Sequence, residues 1–488
     1  MKRFLFAFVM VAACLAVSCN PIDTNNTAQQ QQQQEPQLLV GQETSYQELV
    51  EQIEAYEEII NCLPDGEEKE YCLALISGVR EELELSAMEY AGVNGSPSGF
   101  SVRTDTLIYD SEDCNGGLIK LSGFIHIPLY NGDIQSDAIN GMVINCHATK
   151  PQGVSVEEIS SGFGDLQLDL GEIGNVDALV NGIYTLKQLT ADGVIVLEPD
   201  YEGFGLTSNR PQTYLCHKLI AKQCADMIEP ALDKVKEVAG RDITKNKGFA
   251  SYIVGYSQGG GQALALTRYL TVEDKTGLLK KINLVNSVCG AGPYDPQLTF
   301  HTWLERGEIG MSVLLPMVLS GYMAGHPDIM AGIDIEDYFS DEYNNYPKEG
   351  YGIPQMVKDM NNGFTQGMGY DVKHSEPLGI VAHRVPIYDL MSKTAKDSTS
   401  HIMQALDECL VMEQVCYDWT PVTSIILMSA GDDNIVPVVN TLRAYDALSA
   451  KAGSLVTEML SKGSDHVAGQ LVYTTLLTKF KLYKQINK

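Results

Sequence analysis

The chain has 488 residues, of which 44% are hydrophobic and 20% charged, and its formal net charge is −29 at pH 7. This composition is ordinary for a globular protein, and the strong negative charge argues against a nucleic acid as the partner. The length allows several average domains, although α/β folds often occupy this much chain as a single domain.

The N-terminus has the pattern of a secretory signal. Two basic residues precede the apolar run 4–17, which is too short to span a bilayer comfortably. The small residues before Cys19 resemble a bacterial lipobox, although Ala16 stands where leucine is favoured. We therefore predict a signal peptide over 1–18, lipidation at Cys19 and a flexible tether over 19–43. This would anchor the protein to a bacterial membrane, on its periplasmic or cell-surface face; simple cleavage and secretion is the alternative.

Nine cysteines follow Cys19, an odd number that leaves at least one thiol free. An exported protein can form disulfides, and the pairs Cys62/Cys72 and Cys409/Cys416 are close enough in sequence for local bridges. No CxxC motif with a matching partner occurs, so the sequence predicts no metal site.

Helix and strand patterns change along the chain. Residues 44–95 carry apolar positions at helical spacing in two runs separated at 64–66, which predicts an N-terminal helical hairpin. Over 100–293, short apolar runs alternate with helical segments, and the alternation resumes over 419–488. Strands that are apolar throughout predict an α/β core, with a mostly parallel central sheet flanked by helices.

Residues 294–418 interrupt this alternation. About 125 residues are too many for a loop, so we predict a helical cap inserted between two strands of one sheet. Its apolar stretch 311–323 fits a buried cap helix as well as an apolar wall that faces the substrate.

The segment 255–259 reads G-Y-S-Q-G and lies between a predicted strand and a predicted helix. In that context, G-x-S-x-G is typical of a strained turn that exposes the serine hydroxyl at the C-terminal edge of a sheet. Amide groups at the start of the following helix can stabilise an oxyanion. We therefore predict Ser257 as a nucleophile.

A serine nucleophile needs a base, and the base needs an orienting carboxylate, in the chain order Ser, acid, His for this pattern. Two adjacent carboxylates, Asp432 and Asp433, follow an apolar strand. The spacing to Val436-Pro437 favours Asp433, and Asp432 stays the alternative. His466 follows the last predicted strand and is the only histidine after these carboxylates, which makes it the predicted base.

The oxyanion hole is predicted from backbone amides. One is that of Gln258, and a second would come from Ala148 or Thr149, in the loop after an early strand. Asp200 and Glu202 lie in another loop at the same edge of the predicted sheet, and we interpret them as part of the loop structure rather than as a metal site.

These residues in this order, together with the segments 200–205 and 419–421, resemble the α/β-hydrolase superfamily and, within it, the secretory lipases of bacteria and fungi. The resemblance covers about residues 104–485. It implies an α/β-hydrolase fold with an inserted helical cap, and a serine triad that acts on an ester. The chain departs from the group at His147-Ala148-Thr149, a segment in which the group often has glycine.

The leading hypothesis is therefore a secreted serine hydrolase that cleaves carboxylic esters through an acyl-enzyme on Ser257. Its substrate would be a small-molecule or lipid ester, and this chemistry requires no cofactor. A secreted serine peptidase of the same fold and a non-catalytic surface lipoprotein are the alternatives. The sequence leaves the oligomeric state open.

Overall fold

Alternating strands and helices build one central sheet. In a computed structural model, the described part of the chain comprises residues 38–61, 66–92, 95–149, 186–310, 314–345, 348–349, 353–354 and 385–486. The described residues all belong to one compact unit. The predicted signal peptide, Cys19 and most of the predicted tether lie outside the described residues.

The strands are named here in chain order: β1 Gln42–Ser45, β2 Phe100–Glu112, β3 Leu118–Tyr130, β4 Gly141–Cys146, β5 Val194–Pro199, β6 Ala250–Tyr256, β7 Leu284–Gly290, β8 Glu308–Ile309, β9 Lys348–Glu349, β10 Ile353–Pro354, β11 Val385–Pro386, β12 Ser424–Ala430 and β13 Val456–Ser461. Nine of them form the central sheet, in the order β1-β2-β3-β5-β4-β6-β7-β12-β13. The remaining four form two short ribbons, β8 with β11 and β9 with β10.

The first part of the sheet is antiparallel and the rest is parallel. β1, β2 and β3 pair antiparallel, as do β3 and β5. From β5 through β4, β6, β7 and β12 to β13, every pair is parallel. All residues of β4, β5 and β12 are buried, because helices cover both faces there. The prediction of a mostly parallel sheet flanked by helices is confirmed.

The helices are also named in chain order: α1 Tyr46–Asn61, α2 Glu67–Ala91, α3 Leu186–Leu189, α4 His217–Asp226, α5 Ile228–Ala239, α6 Gln258–Arg268, α7 Leu278–Lys281, α8 Pro296–Arg306, α9 Leu314–Gly325, α10 Asp341–Asn344, α11 Ile387–Leu390, α12 His401–Met412, α13 Val438–Ala452 and α14 His466–Thr478. Within the described ranges, none of the helices is both long enough and apolar enough to cross a membrane.

Helices α1 and α2 occupy the region of the predicted hairpin. They form an apolar cluster with Phe100 and Val102 of β2, so they pack on the antiparallel side of the sheet. The predicted tether, 19–43, is wrong at its C-terminal end. Backbone amides at Leu39 and Gly41 donate to side chains of β2, and Gln42–Ser45 pairs with that strand, so these hydrogen bonds fix the chain before residue 44.

The 294–418 segment connects β7 to β12, two parallel strands that are neighbours in the sheet. Its helices α8, α9 and α12 share a second apolar cluster, which also includes Ile435 and Val436 from the loop after β12. Most side chains of α9 are buried in this cluster, so over residues 314–323 the apolar stretch is a buried helix.

Cys409 and Cys416, which are close enough in sequence for a local bridge, do not form one. Both are free, buried thiols. Cys409 belongs to the apolar cluster of the 294–418 segment, whereas Cys416 belongs to the main core cluster, and this separation explains why they do not pair. The other such pair, Cys62/Cys72, includes a residue outside the described ranges, Cys62.

Candidate active site

Ser257 lies on a sharp turn between β6 and α6. Its φ of 57° is in the left-handed region, which is strained for a residue with a side chain. A Cβ atom on Gly255 would lie 2.2 Å from the backbone oxygen of Gly259, and one on Gly259 would lie 2.0 Å from that of Cys146. Both glycines are therefore required by the close approach of backbones, as the G-x-S-x-G pattern predicts.

Ser257, His466 and Asp433 form one hydrogen-bonded chain. The Nε2 atom of His466 is 2.8 Å from the Oγ of Ser257, and its Nδ1 is 2.7 Å from the Oδ2 of Asp433. Asp433 and His466 are 3% and 6% exposed. The three side chains come from the ends of β6, β12 and β13, since the carboxyl ends of parallel strands share one edge of the sheet.

The orientation of Asp433 is fixed by the backbone. Its second oxygen, Oδ1, accepts hydrogen bonds from the amides of Ile435 at 2.9 Å and Val436 at 2.8 Å. Asp432, the alternative acid, is exposed, and its amide donates to the backbone oxygen of Ser464. Of the two carboxylates, Asp433 is the one that contacts the histidine.

Tyr256 positions the start of α14 and was not singled out by the sequence. Its hydroxyl donates to the backbone oxygen of His466 at 2.7 Å, and the two rings are 5.2 Å apart. Burial raises the pKa of Tyr256 well above its usual range, so the hydroxyl stays a neutral donor. The only sequence signal for this residue was its place beside the serine in the G-x-S-x-G pattern.

The loop after β4 begins close to the start of α6: a Cβ on Gly259 would lie 2.0 Å from the backbone oxygen of Cys146 and 2.8 Å from that of His147. Gln258 is the first residue of α6 and is buried, while Ala148 and Thr149 are half-buried in the loop. The Oγ1 of Thr149 is 2.8 Å from the Oη of Tyr214. Burial raises the pKa of Tyr214 to about 12, against the opposing effect of this hydrogen bond.

The loop after β5 supports the loop after β4. The ring of Tyr201 stacks on that of His147, with centroids 3.7 Å apart, and its hydroxyl donates to the backbone oxygen of His147. Asp200 accepts a hydrogen bond from the Oγ of Ser122 at 2.7 Å. Glu202 forms an ion pair with Arg210. These internal contacts fit the interpretation of both carboxylates as parts of the loop structure.

The 294–418 segment contacts the loop that carries Asp433. The indole Nε1 of Trp303 donates to the backbone oxygen of Ile435 at 2.9 Å. A Cβ on Gly310 would lie 2.5 Å from the backbone oxygen of Asn434, so the two loops are in close contact. This segment therefore helps to fix the position of the carboxylate.

Within the described residues, one group of side chains could hold a metal ion: Cys216, His326 and Glu413. It includes none of the three residues of the hydrogen-bonded chain.

The sequence matches no protein-family model, and none of the curated proteins matches it. Solved structures do match. The chain is similar to the rice cell wall degrading esterase LipA from Xanthomonas oryzae, with 18% identity and a TM-score of 0.57 over 79% of this chain and 89% of that one. A ligand-bound form of LipA matches at 17% identity and a TM-score of 0.57, over 82% and 92% of the two chains.

A second protein, described as a candidate hydrolase from Legionella pneumophila, matches with 16% identity and a TM-score of 0.55, over 83% of this chain and 95% of that one. At sequence identities this low, the similarity to these structures is evidence for the fold alone. The chain has the α/β-hydrolase fold, and that prediction is confirmed.

Proposed function

We propose that this chain is a serine hydrolase that cleaves carboxylic esters through an acyl-enzyme on Ser257. The observation that carries the proposal is the hydrogen-bonded chain from Ser257 through His466 to Asp433, with contacts of 2.8 and 2.7 Å at the carboxyl edge of a parallel sheet. Nucleophile, base and orienting acid in contact are the arrangement that activates a serine hydroxyl at neutral pH.

In the first half-reaction, the Oγ of Ser257 attacks the ester carbonyl carbon while the Nε2 of His466 takes the hydroxyl proton. The carboxylate of Asp433 holds the imidazole in the tautomer with its proton on Nδ1 and stabilises the imidazolium that forms. The backbone amides of Gln258 and of Ala148 or Thr149 would donate to the developing oxyanion.

Collapse of the tetrahedral intermediate breaks the ester C–O bond, and the imidazolium of His466 gives its proton to the leaving alkoxide. Water then attacks the acyl-enzyme, with the same imidazole as its base. A carboxylic acid leaves, and Ser257 regains its proton.

One further observation supports an ester as the substrate. The matching structures include LipA, which is described as an esterase. The proposed substrate is a small-molecule or lipid ester.

The test is a rate survey with purified wild-type protein and the Ser257→Ala variant. The substrates are aryl esters of short to long acyl chains and a panel of aminoacyl amides. A Ser208→Ala variant, which changes an exposed serine away from the strained turn, is the matched control. The proposal is supported if Ser257→Ala lowers the rate of ester hydrolysis by about 10⁴-fold or more, while Ser208→Ala keeps the wild-type rate.

Cleavage of the amides alone would replace the proposal with the peptidase hypothesis. If folded wild-type protein hydrolyses neither class, the proposal is wrong and the binding-lipoprotein hypothesis takes its place.

We further propose that the protein is exported and lipidated at Cys19. The support is the sequence alone: the basic start, the apolar run 4–17 and the small residues before the cysteine. Cys19→Ala should move the protein from the membrane fraction to the soluble fraction of an expressing bacterium, and Cys14→Ala should not. Unchanged partitioning of Cys19→Ala would contradict lipidation.

A further inference from the structure

A second cluster of reactive side chains lies outside the triad. The ligand atoms of Cys216, His326 and Glu413 all lie within 4.8 Å of one another. Cys216 directly precedes α4 of the core, His326 directly follows α9, and Glu413 directly follows α12. The cluster therefore joins the core to two helices of the 294–418 segment.

Local contacts bring the three side chains together. The Nε2 of His326 is 2.8 Å from the Oε1 of Glu413, and the Oε2 of Glu413 accepts a hydrogen bond from the amide of Lys218 at 3.0 Å. A Cβ on Gly325 would lie 2.3 Å from the Sγ of Cys216, so α9 can approach the thiol only because a glycine ends that helix.

The cluster is almost entirely withdrawn from water. Cys216 is 1% exposed and Glu413 is 2% exposed, while the side chain of His326 is 12% exposed. A buried carboxylate is costly unless it is paired with positive charge. Glu413 forms an ion pair with His326, which carries a charge only when it is protonated. A divalent cation would neutralise both a carboxylate and a thiolate.

The types of donor atom in the cluster indicate which cation would bind. Thiolate sulfur, imidazole nitrogen and carboxylate oxygen together are ligands of zinc, which binds them at about 2.0–2.3 Å in a tetrahedron. Ligand atoms of such a tetrahedron are roughly 3–4 Å apart, so the observed spacing needs only small side-chain adjustments. The amide of Lys218 would continue to hold the second carboxylate oxygen.

We propose that Cys216, His326 and Glu413 bind a zinc ion that fastens α9 and α12 to the segment before α4. When zinc binds, the thiol proton of Cys216 leaves to solvent, and the proton between His326 and Glu413 moves to Nδ1 of the imidazole, so that Nε2 and the carboxylate are both free to bind the metal. Three protein ligands leave one tetrahedral position for a water molecule. The site is independent of the proposed esterase activity, because it shares no residue with the triad.

The test uses the full-length protein, freed of metal by dialysis against a chelator and then titrated with zinc chloride. Bound zinc is measured by mass spectrometry after gel filtration, and the thermal midpoint is measured with and without zinc. We expect one zinc per chain and a higher midpoint, because a ligand that binds only the folded state stabilises it. Cobalt in place of zinc should produce a thiolate-to-metal charge-transfer absorption band.

Variants separate a built site from surface binding. His326→Gln keeps a polar group beside Glu413 at a partly exposed position, and Cys216→Ala removes the thiolate; each should abolish stoichiometric binding. Cys224→Ala removes a buried thiol within α4 that is not part of the cluster, and should retain stoichiometric binding. If folded wild-type protein binds no zinc, or if His326→Gln still binds one equivalent with the same midpoint shift, the proposal is wrong.

Discussion

Replacing the proposed acid, Asp433→Asn, should disable the base without unfolding the protein. In the wild type, Oδ1 is held by the amides of Ile435 and Val436, and Oδ2 faces the Nδ1 of His466. An asparagine in the same position keeps its carbonyl oxygen on the two amides and turns its NH₂ group toward Nδ1. Because that group donates, Nδ1 must accept, and the imidazole proton moves to Nε2.

An imidazole with its proton on Nε2 cannot take the proton of Ser257. The expected loss in kcat is about 10⁴, equivalent to about 5 kcal/mol of transition-state stabilisation. KM should change little, because the carboxylate does not contact the substrate. The assay is steady-state hydrolysis of a short-chain aryl ester, accompanied by urea denaturation to show that the variant is folded.

Asp432→Asn is the matched control, since it makes the same chemical change at the neighbouring, exposed carboxylate. Its activity should stay within about twofold of the wild type, as for surface changes in general. The reasoning fails if Asp433→Asn keeps more than a tenth of wild-type kcat, or if Asp432→Asn loses as much as Asp433→Asn.

Three further substitutions test the surroundings of the site. Tyr214→Phe removes the hydrogen bond to Thr149, worth about 1 kcal/mol, and should lower kcat about fivefold; unchanged kcat would argue against this loop as part of the oxyanion hole. Gly259→Ala places a Cβ 2.0 Å from the backbone oxygen of Cys146, and should lower the free energy of unfolding in urea by about 1–3 kcal/mol. Tyr256→Phe leaves the buried backbone carbonyl of the proposed base unpaired, and should cost about 1–3 kcal/mol in the same assay. Wild-type stability in either of the last two variants would contradict the packing described.

The parallel part of the fold could be predicted because its strands are apolar throughout, as in β4, β5 and β12. The N-terminal edge of the sheet could not. Gln42–Ser45 is short and polar, and it is held by backbone pairing with β2, which leaves no periodic signal in the sequence. The end of the tether was misplaced for this reason.

The candidate triad could be located because its chemistry imposes an order on serine, acid and histidine, and a position for each after a strand. The choice between Asp432 and Asp433 needed the structure, since adjacent residues in a turn can point in opposite directions. Tyr214, which contacts Thr149 from 65 positions away, gave no local signal.

The proposed zinc ligands were missed for a related reason. A search for closely spaced cysteines assumes that one segment supplies several ligands, whereas Cys216, His326 and Glu413 come from three separate segments. Only the packing of α9 and α12 on the core brings them together. Long-range contacts of this kind depend on the fold, and the spacing of the residues along the sequence does not reveal them.

The most direct test of the central claim is covalent labelling with a fluorophosphonate, followed by mass spectrometry of the intact protein and its peptides. The reagent forms a stable bond with a serine only when that hydroxyl is activated by a base. The account predicts one adduct per chain, on Ser257, with loss of ester hydrolysis in proportion to labelling and no adduct in His466→Ala. An adduct on another residue, or full ester hydrolysis by completely labelled protein, would contradict it.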